Sequence, residues 1–119
     1  MITKETIKNE AINTILSESQ SITKLVDFID DHFVAAVELI YHSKGRLVVT
    51  GIGKSAIIAQ KIVATLNSTG TPSLFLHAAE AIHGDLGMVQ PGDPVICISK
   101  SGNSPEIKVL VPLLKRFGI

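Results

Sequence analysis

Apolar residues recur along this chain with two different spacings, and the change between them separates a helical arm from an α/β core. In residues 3–42 the apolar positions, such as Ala11, Ile15 and Ile22, lie near a 3.5-residue period, which predicts helix. Asp30-Asp31 is expected to start a second helical segment. Beyond residue 45, apolar runs predict strands at 47–50, 73–76 and 95–98, and helical spacing predicts helices at 55–67 and 105–116, with a short helical turn at 77–83.

Every predicted connection between strands is helical, which indicates a parallel sheet with right-handed crossovers. Three strands are visible, and the sequence stops where a fourth would begin. We therefore expect the first part of a larger α/β domain, or else a unit completed by association. The apolar surface of the arm exceeds what one sheet obviously covers, so the arm is expected to pack either on another subunit or on its own sheet. Pro112 is expected to bend the last helix or to cost about 3 kcal/mol.

The loop between the third strand and the last helix is rich in hydroxyls. Ser104 before Pro105 is typical of an N-cap followed by proline at the first helical position, and Asn103 with Glu106 is the competing capping box. Either start leaves backbone N–H groups at a positive helix end, where anions bind readily. Serine hydroxyls add donors without adding charge, which suits a phosphate, whereas the alternative is a well-capped turn without a ligand. The serines of this loop are Ser99, Ser101 and Ser104.

The turn Gly51-Ile52-Gly53-Lys54-Ser55 suggests two nucleotide-binding patterns and fits neither well. A P-loop needs a glycine where this chain has Val48. A dinucleotide fingerprint, Gly51-x-Gly53-x-x-Ala56, lacks its acidic partner at the end of the second strand, where His77 stands. What remains is a tight turn that places Lys54 at the carboxyl end of a parallel strand, where open α/β sheets bind ligands. A solvated loop lysine is the alternative.

His77, Glu80 and His83 are spaced three residues apart, so one helical turn would place them on one face. Such a cluster can bind a metal or move protons, although the chain has neither a familiar zinc spacing nor a cysteine ligand beside it. Together with Lys54 and the serine loop, the cluster would lie at one edge of the sheet. A cation, an acid/base set and an anion cradle suit a small phosphorylated substrate that undergoes proton transfer.

Composition limits the class of protein. Hydrophobic residues make up 45 % of the 119 residues and aromatic residues 4 %, so the core is aliphatic. The formal net charge is zero, which gives no reason to expect nucleic acid or an anionic membrane as a partner. No apolar run approaches the roughly 20 residues that span a bilayer, and no signal-peptide core is present at the N-terminus. Cys97, alone in a strand, is expected to be a small buried hydrophobe. We expect a cytoplasmic protein.

Four motifs occur in order: Gly-x-Gly-Lys-Ser at 51–55, Ser-Thr-Gly-Thr-Pro at 68–72, Glu-Ala-x-His-Gly-Asp-Leu-Gly-Met at 80–88 and Ser-x-Ser-Gly-x-Ser-x-Glu at 99–106. Together they resemble the SIS (sugar isomerase) domain of the arabinose-5-phosphate isomerases, the KpsF/GutQ family. The resemblance implies a three-layer αβα, flavodoxin-like fold with a five-stranded parallel sheet. It also implies a homotetramer with sites between subunits, and interconversion of D-ribulose 5-phosphate and D-arabinose 5-phosphate for Kdo and lipopolysaccharide synthesis.

The resemblance also implies roles for individual residues. Lys54, His83 and Glu106 are the expected catalytic residues, with Glu106 as the first choice for the base. No cofactor is expected to be required, although His77 matches a position that can carry zinc. The expected substrate-binding residues are Gly53, Ser55, Gly70, Thr71, His83, Ser99, Ser101, Gly102, Asn103 and Ser104.

The domain organisation expected from the resemblance is the N-terminal part of one SIS domain over residues 1–119, with a helical arm at 1–44 and an α/β core at 45–119. Members of the family carry more of this domain and a pair of CBS domains beyond the residues that match, so the activity of these residues alone stays open. Two alternatives remain: a regulatory SIS module that binds a phosphosugar without converting it, and an isomerase for another sugar phosphate.

Overall fold

A computed structural model describes all 119 residues, Met1–Ile119. None of its helices is both long and apolar enough to cross a membrane. The chain divides into two compact units, Met1–Glu38 and Leu39–Ile119. The elements in chain order are α1 (Lys4–Lys24), a 3-10 helix (Leu25–Phe28), α2 (Asp31–His42), β1 (Leu47–Gly51), α3 (Lys54–Ser68), β2 (Ser73–His77), α4 (Ala78–Ile82), a second 3-10 helix (Asp85–Met88), β3 (Val95–Cys97) and α5 (Pro105–Arg116).

The first unit is helical apart from residues 1–3 and 29–30, and it buries none of its side chains. The Thr3 hydroxyl accepts a hydrogen bond from the Thr6 N–H at 3.1 Å and so caps α1. The Asp30 carboxylate accepts from the Phe33 N–H at 3.0 Å, which fixes the start of α2. The predicted second helical segment at Asp30-Asp31 is thereby confirmed. Exposed large apolar side chains of this unit include Ile7, Ile12, Ile15, Leu16, Ile22, Leu25, Val26, Phe28, Ile29, Phe33, Val34 and Val37.

The second unit contains a three-stranded parallel sheet in the order β2-β1-β3. Leu47 pairs with Ser73 and Val48 with Val95, so β1 is the central strand, and all five of its residues are buried. Parallel neighbours require a crossover, and each crossover here is helical, as the sequence predicts. The sheet has three strands within these residues, against the five that the family resemblance implies.

Apolar clusters cover both faces of the sheet. On one face, Val48 and Leu76 pack with residues of α4 and α5. On the other, Leu47 and Val49 pack with Ala59 and Val63 of α3. The alternation along β1 explains this division, since successive side chains of a strand point to opposite faces. The result is the predicted α/β arrangement of three layers, with helices on both sides of a parallel sheet.

The connection from α2 to β1 is held by a buried carboxylate, Asp93. Its two oxygens accept from the Arg46 N–H and the Gln90 N–H, each at 2.8 Å. The backbone of Gly45 lies so close that a Cβ there would meet the Asp93 carboxylate at 2.4 Å. This contact joins the start of β1 to the turn before β3, and it aligns the amino ends of two neighbouring strands.

Element boundaries differ from the sequence prediction by about one residue. Helix α3 begins at Lys54 and not at Ser55, β1 and β2 extend to Gly51 and His77, and β3 ends at Cys97. Helix α5 continues through Pro112 to Arg116, and this proline is solvent-exposed. The helix therefore accommodates the missing N–H on its outer surface, where both Pro112 and Lys108, whose carbonyl loses its partner, are exposed residues.

Thr50 provides a test of the packing beneath β1. Its hydroxyl is fully buried and has no hydrogen-bond partner. We expect Thr50→Val to raise the free energy of unfolding by about 1 kcal/mol, because it removes an unsatisfied polar group and keeps the shape of the side chain. Urea unfolding followed by circular dichroism measures the change.

Val48→Thr is the matched control for Thr50→Val, because Val48 lies on the same face of the same strand and is also fully buried. It should lower the free energy of unfolding by about 1–2 kcal/mol. Equal losses in the two variants would contradict the expectation for Thr50.

Candidate functional site

The carboxyl ends of the three strands lie at one edge of the sheet because all of them run parallel. From this edge the chain enters α3 after β1, α4 after β2 and α5 after β3. Each connection carries residues that the sequence nominates for function. This is the edge at which open α/β sheets bind ligands.

The turn after β1 requires glycine at two positions for two different reasons. Gly51 lies against the first turn of α3, and a Cβ there would lie 3.0 Å from the Ser55 carbonyl carbon. Gly53 caps α3 with φ +61° and ψ −131°, a conformation that only glycine adopts without strain. The N–H groups of Lys54 and Ser55, which follow this cap, make no hydrogen bond. The start of α3 is thus open, with the Lys54 side chain exposed beside it.

His77 ends β2 and caps the short helix α4. Its Nδ1 accepts a hydrogen bond from the Ala79 N–H at 3.2 Å, so this nitrogen is occupied. No group of three or more His, Cys, Asp or Glu side chains comes together in the chain. A zinc ion at His77 would find neither a free Nδ1 nor further ligands, and the residues present do not fit the metal that the resemblance suggested.

The three residues His77, Glu80 and His83, which the sequence spacing predicts to form a cluster, do not form one around α4. His77 is half-buried, and its Nδ1 caps α4 by accepting from the Ala79 N–H. Glu80 and His83 are exposed, and His83 lies at the end of α4. His83 keeps an accessible imidazole at the carboxyl edge of the sheet. Glu80 and His83 are therefore the members of this set that remain available to a ligand.

The serine loop is organised by its own hydroxyls. Ser99 Oγ accepts from the Gly102 N–H at 2.9 Å, and Ser101 Oγ accepts from the Asn103 N–H at 3.1 Å. Gly102 has φ +69°, which allows the loop to reverse towards α5. Ser99 Oγ also lies 3.4 Å from Ser104 Oγ. A hydroxyl that accepts an N–H bond retains its own proton, so these serines can still donate to an anion.

Helix α5 begins with Ser104 at the N-cap and Pro105 at the first helical position, which is the first of the two starts that the sequence predicts. The Ser104 side chain makes no capping bond, and the N–H groups of Glu106 and Ile107 have no partner. The half-buried Glu106 forms no ion pair or hydrogen bond. The positive end of this twelve-residue helix is consequently open to an anion.

The nominated residues divide between the two faces and two edges of the sheet. Helices α4 and α5 pack together through Ala78, Ala81 and Leu110, which places His83 and Glu106 on one face. Lys54 begins α3 on the other face, at the same carboxyl edge.

Gly70 and Thr71 lie at the opposite, amino edge of the sheet, just before β2. There the Thr71 N–H bonds to the Leu66 carbonyl at 2.9 Å, and Gly70 has φ +93°, an arrangement that ends α3 as a Schellman motif. The structure thus gives this pair a helix-ending role and does not bring it together with the other nominated residues of the same chain.

Sequence reasoning did not single out one feature near this site, the buried Thr50 hydroxyl. The Thr50 hydroxyl, buried without a partner one residue before the glycine turn, could have been noticed as the one polar side chain in the run Leu47–Gly51. Cys97 is half-buried, and burial raises the pKa of its thiol. It therefore stays protonated and unreactive at neutral pH, in agreement with its expected role as a small hydrophobe.

Comparison with known proteins decides the family. Residues 39–119 match the model of the SIS domain, about two thirds of the chain and the whole α/β unit. This chain belongs to the SIS-domain family. The match includes all three connections that bear the nominated residues.

The chain is also similar to named enzymes. It is 50 % identical over 111 residues to the arabinose 5-phosphate isomerase KdsD of Pseudomonas aeruginosa, covering 93 % of this chain and 34 % of that protein. It is 45 % identical over 111 residues to the arabinose 5-phosphate isomerase GutQ of Escherichia coli K12, covering 93 % of this chain and 35 % of that protein. The chain thus spans about a third of the length of the curated relatives that it matches.

Among solved structures, the chain superimposes on a protein of E. coli CFT073 in complex with arabinose 5-phosphate, with a TM-score of 0.91 and 38 % identity. The superposition covers 98 % of this chain and 62 % of the other. The element order and sheet of the present chain therefore match those of a protein that holds this sugar phosphate.

Gly53 gives a prediction about the turn that presents Lys54. Gly53→Ala should lower the free energy of unfolding by about 1–3 kcal/mol, because alanine is strained at this φ and ψ although no atom lies within 4 Å of the added Cβ. Gly87→Ala is the control, since Gly87 has no positive φ and equally open surroundings. Thermal unfolding of both variants measures the effect, and equal stability of the two would contradict it.

Proposed function

We propose that this SIS domain belongs to an aldose–ketose isomerase that interconverts D-ribulose 5-phosphate and D-arabinose 5-phosphate. The observation that carries the proposal is the open N-terminus of α5 beside a serine loop at the carboxyl edge of the sheet. The similarity to arabinose 5-phosphate isomerases supports the choice of substrate among sugar phosphates. The neighbour solved with arabinose 5-phosphate supports binding of the same ligand.

The phosphate end of the substrate is assigned to the serine loop and the start of α5. Free N–H groups of Glu106 and Ile107 and the hydroxyl of Ser101 supply donors at a positive helix end. Gly102 and Asn103 contribute by shaping the loop, because their N–H groups bond to serine hydroxyls. Since the cradle contains neutral donors, it holds a phosphate without a fixed ion pair.

The chemistry requires one proton to leave carbon 2 of the aldose and one to arrive at carbon 1. In the proposed scheme the Glu106 carboxylate takes the proton from carbon 2, and the electron pair moves to form an enediolate with negative charge on the carbonyl oxygen. The protonated carboxyl then delivers a proton to carbon 1, while the hydroxyl on carbon 2 loses its proton and becomes the ketone. His83 moves the proton between the two oxygens, and the Lys54 ammonium stabilises the enediolate oxygen.

The environment of Glu106 agrees with the role of general base in one respect and conflicts with it in another. Its carboxylate is half-buried without an ion pair, so it is free to accept a proton. However, it begins the same helix that would bind the phosphate, and two anions so close repel each other. Because the reacting carbons lie at the far end of a five-carbon sugar from its phosphate, the scheme requires the carboxylate to be directed away from the serine loop.

We further propose that the site is completed by association, as a homotetramer with sites between subunits. The first unit exposes many large apolar side chains and buries none, which favours a partner surface for them. Gly70 and Thr71, at the amino edge of the sheet, would contact substrate only from a neighbouring copy. In this proposal the product serves Kdo and lipopolysaccharide synthesis in the cytoplasm, as the family resemblance implies.

Glu106→Gln tests the base. We expect isomerisation to fall by at least about a hundredfold, since a positioned general base contributes about 10²–10⁴. Proton NMR of the chain with arabinose 5-phosphate in D2O follows the appearance of ribulose 5-phosphate and deuterium at carbon 2. Glu5→Gln is the control, because Glu5 is also an acid in the first turn of a helix but lies in the first unit. Unchanged turnover in Glu106→Gln would remove Glu106 from the mechanism.

Ser101→Ala tests the cradle. Loss of one hydrogen bond to a charged ligand should weaken arabinose 5-phosphate binding by about tenfold and leave the fold intact. The dissociation constant is measured by NMR titration, together with that of inorganic phosphate. Ser68→Ala is the control, because the Ser68 hydroxyl donates to the Ala64 carbonyl within α3. Equal affinity of Ser101→Ala and the unsubstituted chain would contradict the cradle, and binding without turnover would favour a phosphosugar-binding module.

A further inference from the structure

Strand β2 lies at an edge of the sheet, so part of its backbone faces away from β1. The Pro72 carbonyl, directly before β2, accepts from the Leu47 N–H at 3.0 Å. Because the backbone groups of successive strand residues point to opposite sides, every second residue from Ser73 onwards faces outward. These residues are Ser73, Phe75 and His77. Outward N–H and C=O groups of this kind are a template on which another strand can pair.

The side chain of Asn67 occupies the first of these outward positions. Asn67 lies in the last turn of α3. Its Oδ1 accepts from the Ser73 N–H at 2.8 Å, and its Nδ2 donates to the Ser73 carbonyl at 3.2 Å. A carboxamide has an acceptor and donors side by side. Asn67 therefore takes both backbone groups of Ser73, as the opposing residue of a hydrogen-bonded antiparallel pair would.

The other end of β2 is closed by the path of the chain. The strand ends at His77, where the chain enters α4, and the His77 ring caps that helix. Phe75 is left as the one outward residue between two closed ends. A single residue offers only two hydrogen bonds, which do not offset the entropy of ordering two chains against each other.

We propose that Asn67 is an edge-blocking residue, which ends the sheet at β2 and prevents this edge from pairing with the same edge of a second copy of the chain. Two identical edges can pair about a twofold axis, because each offers the other the same groups. In the pair that uses Ser73 and Phe75, each Ser73 lies opposite a Phe75 of the other copy, so Asn67 blocks the ladder at two places. The inference does not rest on the proposed function, since no residue of the phosphate site takes part in it.

Asn67→Ala tests the block. The substitution frees Ser73 and gives the edge two consecutive outward residues. Pairing of two copies should therefore raise the average mass in solution to about twice that of the unsubstituted chain at the same high concentration. Sedimentation equilibrium of the full chain measures this mass, and circular dichroism checks that both proteins are folded. Equal masses would overturn the proposal.

Ser73→Pro separates edge pairing from association caused by a loss of stability. Ser73 is the first residue of β2 and its N–H faces outward, a position at which an edge strand tolerates proline. Proline removes the outward donor, so Asn67→Ala/Ser73→Pro should have the mass of the unsubstituted chain. Association through partly unfolded protein would persist in the double variant, which lacks the same Asn67 bonds. A double variant that associates as Asn67→Ala does contradicts the proposal.

Amide hydrogen exchange by NMR locates the contact. At low concentration, the Ser73 N–H of Asn67→Ala should exchange about fivefold faster than in the unsubstituted chain, because it has lost its acceptor. At high concentration, exchange at both Ser73 and Phe75 should become slower, since both N–H groups then pair with the second copy. Association without slower exchange at Phe75 would place the contact elsewhere and overturn the proposal.

Thr69→Ala is the matched control in the same connection. The Thr69 hydroxyl donates to the Thr65 and Leu66 carbonyls within α3 and does not bond to β2. Its loss should leave the mass unchanged, and association equal to that of Asn67→Ala would indicate general loosening of the connection and not a blocked edge.

Asn67→Asp provides a second test at the same position. The carboxylate keeps an acceptor for the Ser73 N–H and adds a negative charge to each edge, and like charges across a strand pair oppose association. This variant should therefore have the mass of the unsubstituted chain. Association as strong as that of Asn67→Ala would contradict the proposal.

Discussion

The parallel pairing of β1 with both neighbours is the constraint on which the rest of the α/β unit depends. All five residues of β1 are buried, and β2 and β3 flank it in the same direction. Each strand must therefore be followed by a crossover, and the beginnings of the three crossovers meet at one edge of the sheet. The glycine turn, the start of α4 and the serine loop lie at that edge because they directly follow the carboxyl ends of three parallel strands.

The candidate site uses open helix ends more than charged side chains. The starts of α3 and α5 both carry N–H groups without partners, one after a glycine cap and one after a serine that does not cap. Such ends attract anions through the helix dipole and fixed donors. Their openness has a local cause in each case: Gly53 has no side chain to cap with, and Ser104 is directed towards Ser99.

The two units place their apolar residues in opposite ways. The α/β unit divides its aliphatic residues between two clusters, one on each face of the sheet. The helical unit before it, with many large apolar side chains, buries none of them. A surface of this kind is typical of an interface, because exposed apolar area is costly in water. The sequence left open whether the arm packs on its own sheet or on another subunit.

The sequence by itself determined the elements, their order and the identity of the family. Apolar runs and helical spacing located each strand and helix to within about a residue. This is possible because the spacing of apolar residues along the chain reflects which face of a strand or helix is buried. The proline at the first position of α5 and the glycines of the first turn affect only the backbone around them, so their roles could be predicted from the sequence.

By contrast, tertiary structure alone decided three points. The zinc suggested at His77 does not fit because Nδ1 of its ring caps α4 and no other ligands approach. Gly70 and Thr71 lie at the amino edge because α3 ends there. The Ser99 and Ser104 hydroxyls lie 3.4 Å apart, which only the folded path of their shared loop brings about. Each of these outcomes depends on distances between groups that spacing along the chain does not specify.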